Sequence, residues 1–532
     1  MTVGSIGGTY GLSGSGIDID SIVKKLMTRE QAKADALLQK KTVLQWQKTA
    51  YNTVYDDINT FRTTAFNYKL QGTLSPNKVS SSNTSVATAT ATADAAAVNH
   101  SLVVSQLASG VNLTSTAAIS IPQPPILGTL ATQLSMPTTS FNITITNGTA
   151  VSLPILINPL TDTLNDVVSK FNNAGVNVKA NYDISLDRFF LTTTNTGLSS
   201  GISFAGSDQN GLNFLGGKLK LSGGTTETPA GSGTYISAAV KGLDATFQLD
   251  GVGLTKASNT FSISGVTYNL TGVSAQATTI SVTSDVDKAV ANIQSLVDSY
   301  NKILAEVNGK VNETRYKAFS PLTDAQKSVM KDSDIIAWNV KAQSGMLQND
   351  PTLTSLVNTM RNAFSSPVSG IIPTIVSGVP VTYNSASSIG ITTGNYTEGG
   401  KLTLNTDKLR TALNANPNVL NQLFGAPGTT NPDGTTDFKS QGIAGRLYDG
   451  IKTPINKLLL IAGTTSNAQY DTSSNYAKRI TTYTTQITQE AGRFTTIQSA
   501  YYKKYNAMEV ALQKLSSQSS WLSSTLSPSS SK

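Results

Sequence analysis

The stretch ITTYTTQITQEAGRFTTIQSAYYKKYNAMEVALQKL, Ile480–Leu515, places Ile480, Tyr483, Ile487, Ala491, Phe494, Ile497, Tyr501, Tyr505, Met508, Leu512 and Leu515 on one seam. Their spacing averages about 3.5 residues, the period of a coiled coil. The intervening Thr, Ser and Gln are weak helix material, and fixing the backbone costs entropy that propensity alone does not return. This helix therefore needs a partner to cover its stripe before it orders. The Ser-rich tail after Trp521 reads as frayed.

A second stripe lies at the other chain end. Just after Ile17, and behind Asp18 or Asp20 as N-cap, Ile19, Ile22, Val23, Leu26 and Met27 recur at helical spacing, continuing through Leu37, Leu38 and Leu44. Tyr51, Val54, Tyr55, Ile58, Phe61 and Ala65 extend the periodicity to about Gly72, where Gly72 and Pro76 stop it. An amphipathic helix ordinarily packs into an intramolecular bundle. Two such stripes at the two chain ends predict instead a terminal coiled coil that suits insertion into a multi-chain assembly.

Between the ends the texture alternates. From Val79 to about Val282 short β-branched runs, such as FNITI at Phe141–Ile145 and FSISGVTYNL from Phe261, are separated by Gly, Asn and Pro, the pattern of β-rich domains. The Pro- and Thr-rich span Ser120–Thr139 and the GGTTETPAGSG segment after Ser222 read as loops bounding an inserted unit. Helical periodicity returns at Ser284, which forms a capping-box-like pattern with Asp287. Helical segments near Asp324–Met346 and Thr352–Phe364 follow, then the β-like IIPTIV and VPVTY. In NPNVLNQLFG, Asn416 reads as a cap, Pro417 as the first helical residue and Gly425 as the stop.

The fold class this predicts is α+β and multidomain: β-rich heads, one of them inserted, on a helical leg, with the terminal helices forming an assembly-dependent coiled coil. The boundaries read as terminal segments at 1–45 and 476–532, a mainly helical leg at 46–75 and 284–475, a β-rich head at 76–110 and 240–283, and an inserted outer head at 111–239.

Composition narrows the chemistry. Charged residues make up 14% of the chain, and the net +8 comes from 40 basic and 32 acidic residues with no sustained basic run, which argues against a nucleic-acid partner. No apolar stretch is long enough to span a membrane, so membrane insertion is not expected. The opening MTVGSIGGTYGLSGSG lacks the charged and apolar regions of a signal peptide. With no Cys, a single His and no H-E-x-x-H, G-x-S-x-G or P-loop pattern, neither an enzyme, a metal site nor a cofactor is expected. His100 reads as a strand-edge residue, and Asp183 and Asp187 as solvated carboxylates beside a turn rather than a glycosidase pair.

Several motifs, in order, carry a resemblance. They are GLSGSGIDIDSIVKKLM at Gly11–Met27, VVSQLASG at Val103–Gly110, GLDATFQLDGVGLTKASNTFSISGVTYNL at Gly242–Leu270 and SDVDKAVANIQSLVDSYNKIL at Ser284–Leu304. PLTDAQKSVMKDSDIIAWNVKAQSGMLQNDPTL from Pro321, SIGITTG from Ser388, KLTLNTDKLRTALNANPNVLNQLF from Lys401 and RFTTIQSAYYKKYNAMEVALQKLSSQSSWL from Arg493 complete the set. Over about 10–110 and 240–525 the sequence resembles bacterial flagellar filament cap proteins, the hook-associated protein 2 family; the stretch 111–239 carries no family signal.

That resemblance implies an extracellular protein at the flagellum tip, exported by the flagellar type III system without a cleaved signal peptide. It implies a ring-like homo-oligomer that promotes folding and polymerisation of exported flagellin, prevents its loss and so serves motility. Flagellin, further copies of the chain, hook–filament junction proteins and a cytoplasmic export chaperone at the C-terminal helix are the implied partners. The expected docking residues are Ile17, Ile19, Ile22, Val23, Leu26 and Met27 together with Ile480, Tyr483, Ile487, Phe494, Tyr501, Tyr505, Met508, Leu512 and Leu515. The alternative is an adhesin that binds surfaces or glycans through the insert, and a purely structural junction protein is a third reading. A seam of mixed Ile, Tyr, Phe and Ala specifies no single oligomer number.

Overall fold

The computed structural model describes residues 18–121, 128–221, 226–227, 235–236, 240–394 and 398–526. The chain divides into two compact units, one formed by Met1–Leu74 with Asp287–Lys532 and the other by Ser75–Val286.

The first unit is built on helices. Those of ten residues or more among the described residues are α1 (Ile19–Asn67), α2 (Val286–Asn312), α3 (Asp332–Gln343), α4 (Pro351–Ser365), α5 (Thr406–Ala415), α6 (Ile443–Ala462) and α7 (Asn475–Leu526). At 1.5 Å per residue, α1 and α7 are each on the order of 75 Å long. The two N-terminal stripes join in one uninterrupted helix because no Gly or Pro falls between Ile19 and Asn67. It ends at Asn67, short of Gly72, which lies inside the next helical turn, Gln71–Leu74. α1 packs along α6 and α7, and α4 packs on α6. In α2, Val290, Ile293, Val297, Tyr300, Leu304 and Val307 form the buried stripe. Tyr300 meets Phe61 of α1 and Phe364 of α4 edge-on, with centroids 6.3 and 5.1 Å away.

The second unit is β-rich. A five-stranded sheet has the order Asn77–Ser81, Ser274–Ser284, Asn99–Gln106, Ala245–Leu249, Val252–Lys256, with antiparallel neighbours. A three-stranded sheet of Thr260–Ile263, Val266–Leu270 and Ala87–Ala91 joins it around Leu102, Val104, Phe247, Tyr268, Ile280 and Val282. A separate core around Phe141, Phe171, Phe189, Phe204 and Phe214 gathers residues from Val111 to Leu221. The chain leaves and re-enters at Ser109 and Leu243, which form an isolated bridge. Beside it a Cβ at Gly242 would lie 2.3 Å from the Ser109 carbonyl oxygen, so only glycine fits that crossing.

Several local expectations are corrected. Ser284 ends a strand and α2 opens at Val286, so Ser284 is not its N-cap. The Ser120–Thr139 span is not all loop, since Leu130–Gln133 is helical and Leu130 and Leu134 enter the core; most of the GGTTETPAGSG segment lies outside the described residues. Asn416 ends α5 instead of opening the next helix, which begins at Val419; its carboxamide oxygen accepts from Asn418 N–H at 2.9 Å. α7 runs past Trp521 to Leu526, five residues into the expected frayed tail. His100 sits in the central strand of its sheet, with Nδ1 2.7 Å from Asp250 Oδ2. Asp187 is buried, accepting from Ser120 N–H, Ser120 Oγ and Tyr182 OH at 2.8–2.9 Å, whereas Asp183, half-buried at the end of the strand Val178–Asp183, accepts from Ser185 N–H.

Candidate assembly site

The two chain ends meet as an antiparallel helix pair. Asp18 caps α1, its carboxylate accepting from Ser21 N–H at 3.0 Å and from the Ser21 hydroxyl, and these bonds hold its carboxyl below the usual range. From the first helical residue on, Ile19, Val23 and Met27 are buried against Phe494, Ile497, Tyr501, Tyr502 and Tyr505 of α7. The i, i+4 spacing of the three α1 residues places them on one face, the requirement for such a seam. Tyr502 OH donates to Asp20 Oδ1 at 2.9 Å, and Glu30 lies 2.8 Å from Lys33 and 3.5 Å from Arg493.

The pair is anchored where α7 begins. Lys48 Nζ lies 2.8 Å from Asp471 Oδ2 and donates to the Ala468 carbonyl at 3.2 Å. Asp471 also accepts from the N–H groups of Ser473 and Ser474, both at 3.0 Å, while Ser474 Oγ accepts from Ala477 N–H at 3.2 Å and caps the helix. Burial would raise the Asp471 carboxyl. The bonds from Lys48, Ser474 and Ser473 outweigh that and hold it far below the ordinary range. Tyr51 stacks at a tilt on Tyr476 with centroids 5.7 Å apart, and its OH donates to Asp350, the N-cap of α4. Burial first, then the Asp350 carboxylate, push the Tyr51 phenol up.

Of the expected docking residues, Ile19, Val23, Met27, Phe494, Tyr501 and Tyr505 come together in this seam. Ile22, Ile480, Tyr483, Ile487 and Leu512 are half-buried elsewhere along the helices. Leu26, Met508 and Leu515 are exposed, because their positions rotate off the α1–α7 face or lie past the cluster that closes it. Ile17 lies outside the described residues. Sequence reasoning missed the polar fastenings. Tyr502 is adjacent to a stripe position and so falls outside the periodicity, and Asp471 is too far in sequence from Lys48, and Arg493 from Glu30, to pair by pattern. The DTSS run ahead of α7 was the one available signal, a carboxylate followed by a Ser N-cap.

Among the described residues no group of three or more His, Cys, Asp or Glu side chains could hold a metal ion, and no helix is long and apolar enough to cross a membrane. The chemistry on offer is helix docking.

A protein named flagellar hook-associated protein 2 from Halalkalibacterium halodurans is 27% identical over 536 residues, covering 95% of this chain and 97% of that protein. Its namesake from Escherichia coli O157:H7 is 26% identical over 459 residues, covering 84% and 87%. The fold is similar to the crystal structure of the flagellar cap protein FliD D1-D2-D3 domains from Escherichia coli, with a TM-score of 0.51 at 21% identity over 81% of this chain and 99% of that one. Residues 15–110 match the family model for the flagellar hook-associated protein 2 N-terminus and residues 242–517, more than half of the chain, that for its C-terminus. The chain belongs to the flagellar hook-associated protein 2 family.

Proposed function

We propose that this protein caps the flagellar filament: copies assemble at the filament tip, promote folding and polymerisation of exported flagellin and prevent its loss. The observation that carries this is the α1–α7 pair, fastened at Lys48 and Asp471 yet leaving Met508, Leu515, Trp521, Leu522 and Leu526 exposed beyond the seam. Such a helix end has apolar surface to offer the filament or neighbouring copies, and family membership supports the reading. The docking residues lie on α1 and α7, and the domains divide at about residues 45, 75, 110, 239, 283 and 475. Flagellin, further copies, hook–filament junction proteins and an export chaperone on the α7 helix are the partners; the protein is extracellular, exported without a cleaved signal peptide.

Deleting the gene, imaging the cells, assaying flagellin in the medium and adding the purified protein back tests this. Hooks without filaments, flagellin in the supernatant and rescue on addition are expected; normal filaments refute it. A second reading, surface or glycan binding by the insert, is favoured by a cavity of about 480 Å³ bordered by Leu153, Leu156, Asp162 and Lys170. Unchanged adhesion by cells carrying an insert-deleted protein would remove that reading.

A further inference from the structure

Inside the insert a buried carboxylate fixes how a whole wall of side chains is oriented. Asp187 is 4% exposed and accepts from the Ser120 hydroxyl and the Tyr182 phenol, both at 2.8 Å. Burial above all pushes the Tyr182 phenol up, so it keeps the proton that it shares with Asp187. Each hydroxyl has one proton and has given it to Asp187, so each meets a third group only as an acceptor. That group is Gln133, which is 2% exposed: its Nε2 donates to Ser120 Oγ at 3.1 Å and to Tyr182 OH at 3.2 Å. Both amide protons are spent on this side, which fixes the carboxamide the one way round. Gln133 Oε1 is left without a partner among the described residues, and Gln133 borders a cavity of about 150 Å³. A buried acceptor is costly to keep unless something donates to it.

Another wall of the same cavity is the start of the helix Leu164–Asn172. Thr163 caps it, its hydroxyl oxygen accepting from Asp166 N–H at 3.2 Å and its carbonyl from Val167 N–H at 3.1 Å. The N–H groups of Leu164 and Asn165 have no acceptor among the described residues, as the first turn of a helix leaves them. Leu164 sends its side chain into the core of the insert, so what it turns to the cavity is main chain. The half-buried ring of Tyr182 adds an amphipathic surface.

Charge and size then select the ligand. Asp187 stands behind the wall and Asp166 on the first turn, where its bonds from Thr163 hold its carboxyl below the usual range, so an anion is disfavoured. A bare cation would leave the two N–H groups unpaired. A neutral molecule with hydroxyls on neighbouring atoms fits both walls, because a hydroxyl can donate to Gln133 Oε1 and another accept from the helix start. A space of about 150 Å³ is enough for a six-membered ring.

We propose that this cavity binds one neutral sugar ring, with Gln133 Oε1 accepting from one hydroxyl and the main chain of Leu164 and Asn165 donating to another. This rests on the second reading above, that the insert is a binding head. The larger cavity named there meets the same helix start, through Asp162 and Asp166, so a longer glycan whose end fills the smaller cavity has the larger one beside it.

Saturation-transfer NMR of the full-length protein with the methyl glycosides of glucose, galactose, mannose and N-acetylglucosamine tests this. At least one should bind, with a Kd on the order of 1 mM. Gln133→Met removes the acceptor at similar volume, and Asn165→Trp crowds the cavity from an exposed position. Each should weaken binding at least tenfold while circular dichroism shows the protein folded, and Asn165→Trp decides alone if Gln133→Met does not fold. Tighter binding of the glycoside than of the free sugar would mark the end of a glycan as ligand, and the reverse a free monosaccharide. Failure of all four glycosides to bind overturns the proposal, as does binding that either folded variant keeps. Insert-dependent adhesion with no glycoside bound would remove this site and leave the surface-binding reading standing; glycoside binding in a protein whose insert is dispensable for adhesion would do the reverse.

Discussion

Replacing Asp471 by Ala should cost the helical unit about 4 kcal/mol, because breaking a buried ion pair from one side leaves the other charge without compensation. The Lys48 ammonium would keep only the Ala468 carbonyl, and the N–H groups of Ser473 and Ser474 would lose their acceptor at the start of α7. Lys48→Met should cost less, about 2 kcal/mol, because the Asp471 carboxylate keeps its two backbone donors and the Ser474 hydroxyl. The double variant should then cost clearly less than the sum. Urea unfolding followed by tryptophan emission, with amide exchange over residues 464–480, measures all three. Acid dependence gives a second readout. A carboxyl depressed in the folded state contributes stability that is fully present above its unfolded value of about 3.9 and is lost as pH falls below it. Asp471→Ala should therefore flatten the loss of stability between about pH 4 and pH 2. The reasoning is refuted if Lys48→Met costs as much as Asp471→Ala, or if the two changes are additive.

Glu306 shares a cleft with Asp57 on α1, and burial, then the bond and charge of Asp57, raise its carboxyl. The sign is opposite to that of Asp471: stability present at low pH is lost as pH rises through the raised value, so Glu306→Gln should raise the urea midpoint at pH 7 and change little at pH 4. Gly390 has φ 95°, and a Cβ there would lie 2.7 Å from the Asn405 carbonyl oxygen. Gly390→Ala should cost about 2 kcal/mol by the same unfolding assay. Arg446 is buried and donates to the carbonyls of Phe438, Ser366, Pro367 and Lys439. Arg446→Met takes the donor from the Phe438, Ser366 and Pro367 carbonyls, while that of Lys439 keeps Ser369 N–H, and should cost about 3 kcal/mol, read as a lowered thermal midpoint.

What the sequence disclosed is what local periodicity encodes. The stripes of α1, α2 and α7 are visible because every third or fourth side chain must be apolar for a long helix to pack, whatever it packs against. The strand pair Thr260–Ile263 and Val266–Leu270 is visible because its turn, Ser264-Gly265, takes positive φ at both positions. Partners brought together by the fold left no such trace. Asp187 looks like any turn carboxylate until Ser120, far away in the chain, folds over it. His100 and Asp250 lie in separate segments on either side of the inserted stretch. Asn416 failed differently: Asn serves as readily in a turn as at a helix start, and here its carboxamide folds onto the turn.

The α1–α7 pair thins along its length. Lys48, Tyr51 and Ala477 are buried where the pair leaves the body, only Ile19, Val23 and Met27 are buried near the far end of α1, and from Gln513 to Leu526 every residue of α7 is exposed. Along the same helix Thr481, Thr482, Thr484, Thr485, Thr488, Thr495 and Thr496 each bond their hydroxyl to the carbonyl four residues back. Such back-bonding keeps the hydroxyls satisfied but slightly destabilises and bends a helix, and β-branched residues already lower its propensity. These threonines lie in the half of α7 nearer its cap, so capping and packing against α1, not propensity, hold that half, and the helix is least held where its apolar side chains lack cover. Under the capping reading this order has a consequence. The far end of α7 can exchange one apolar partner for another while the Lys48–Asp471 fastening keeps the helix joined to its own body, and loss of that fastening should disable exchange before it unfolds the rest of the chain.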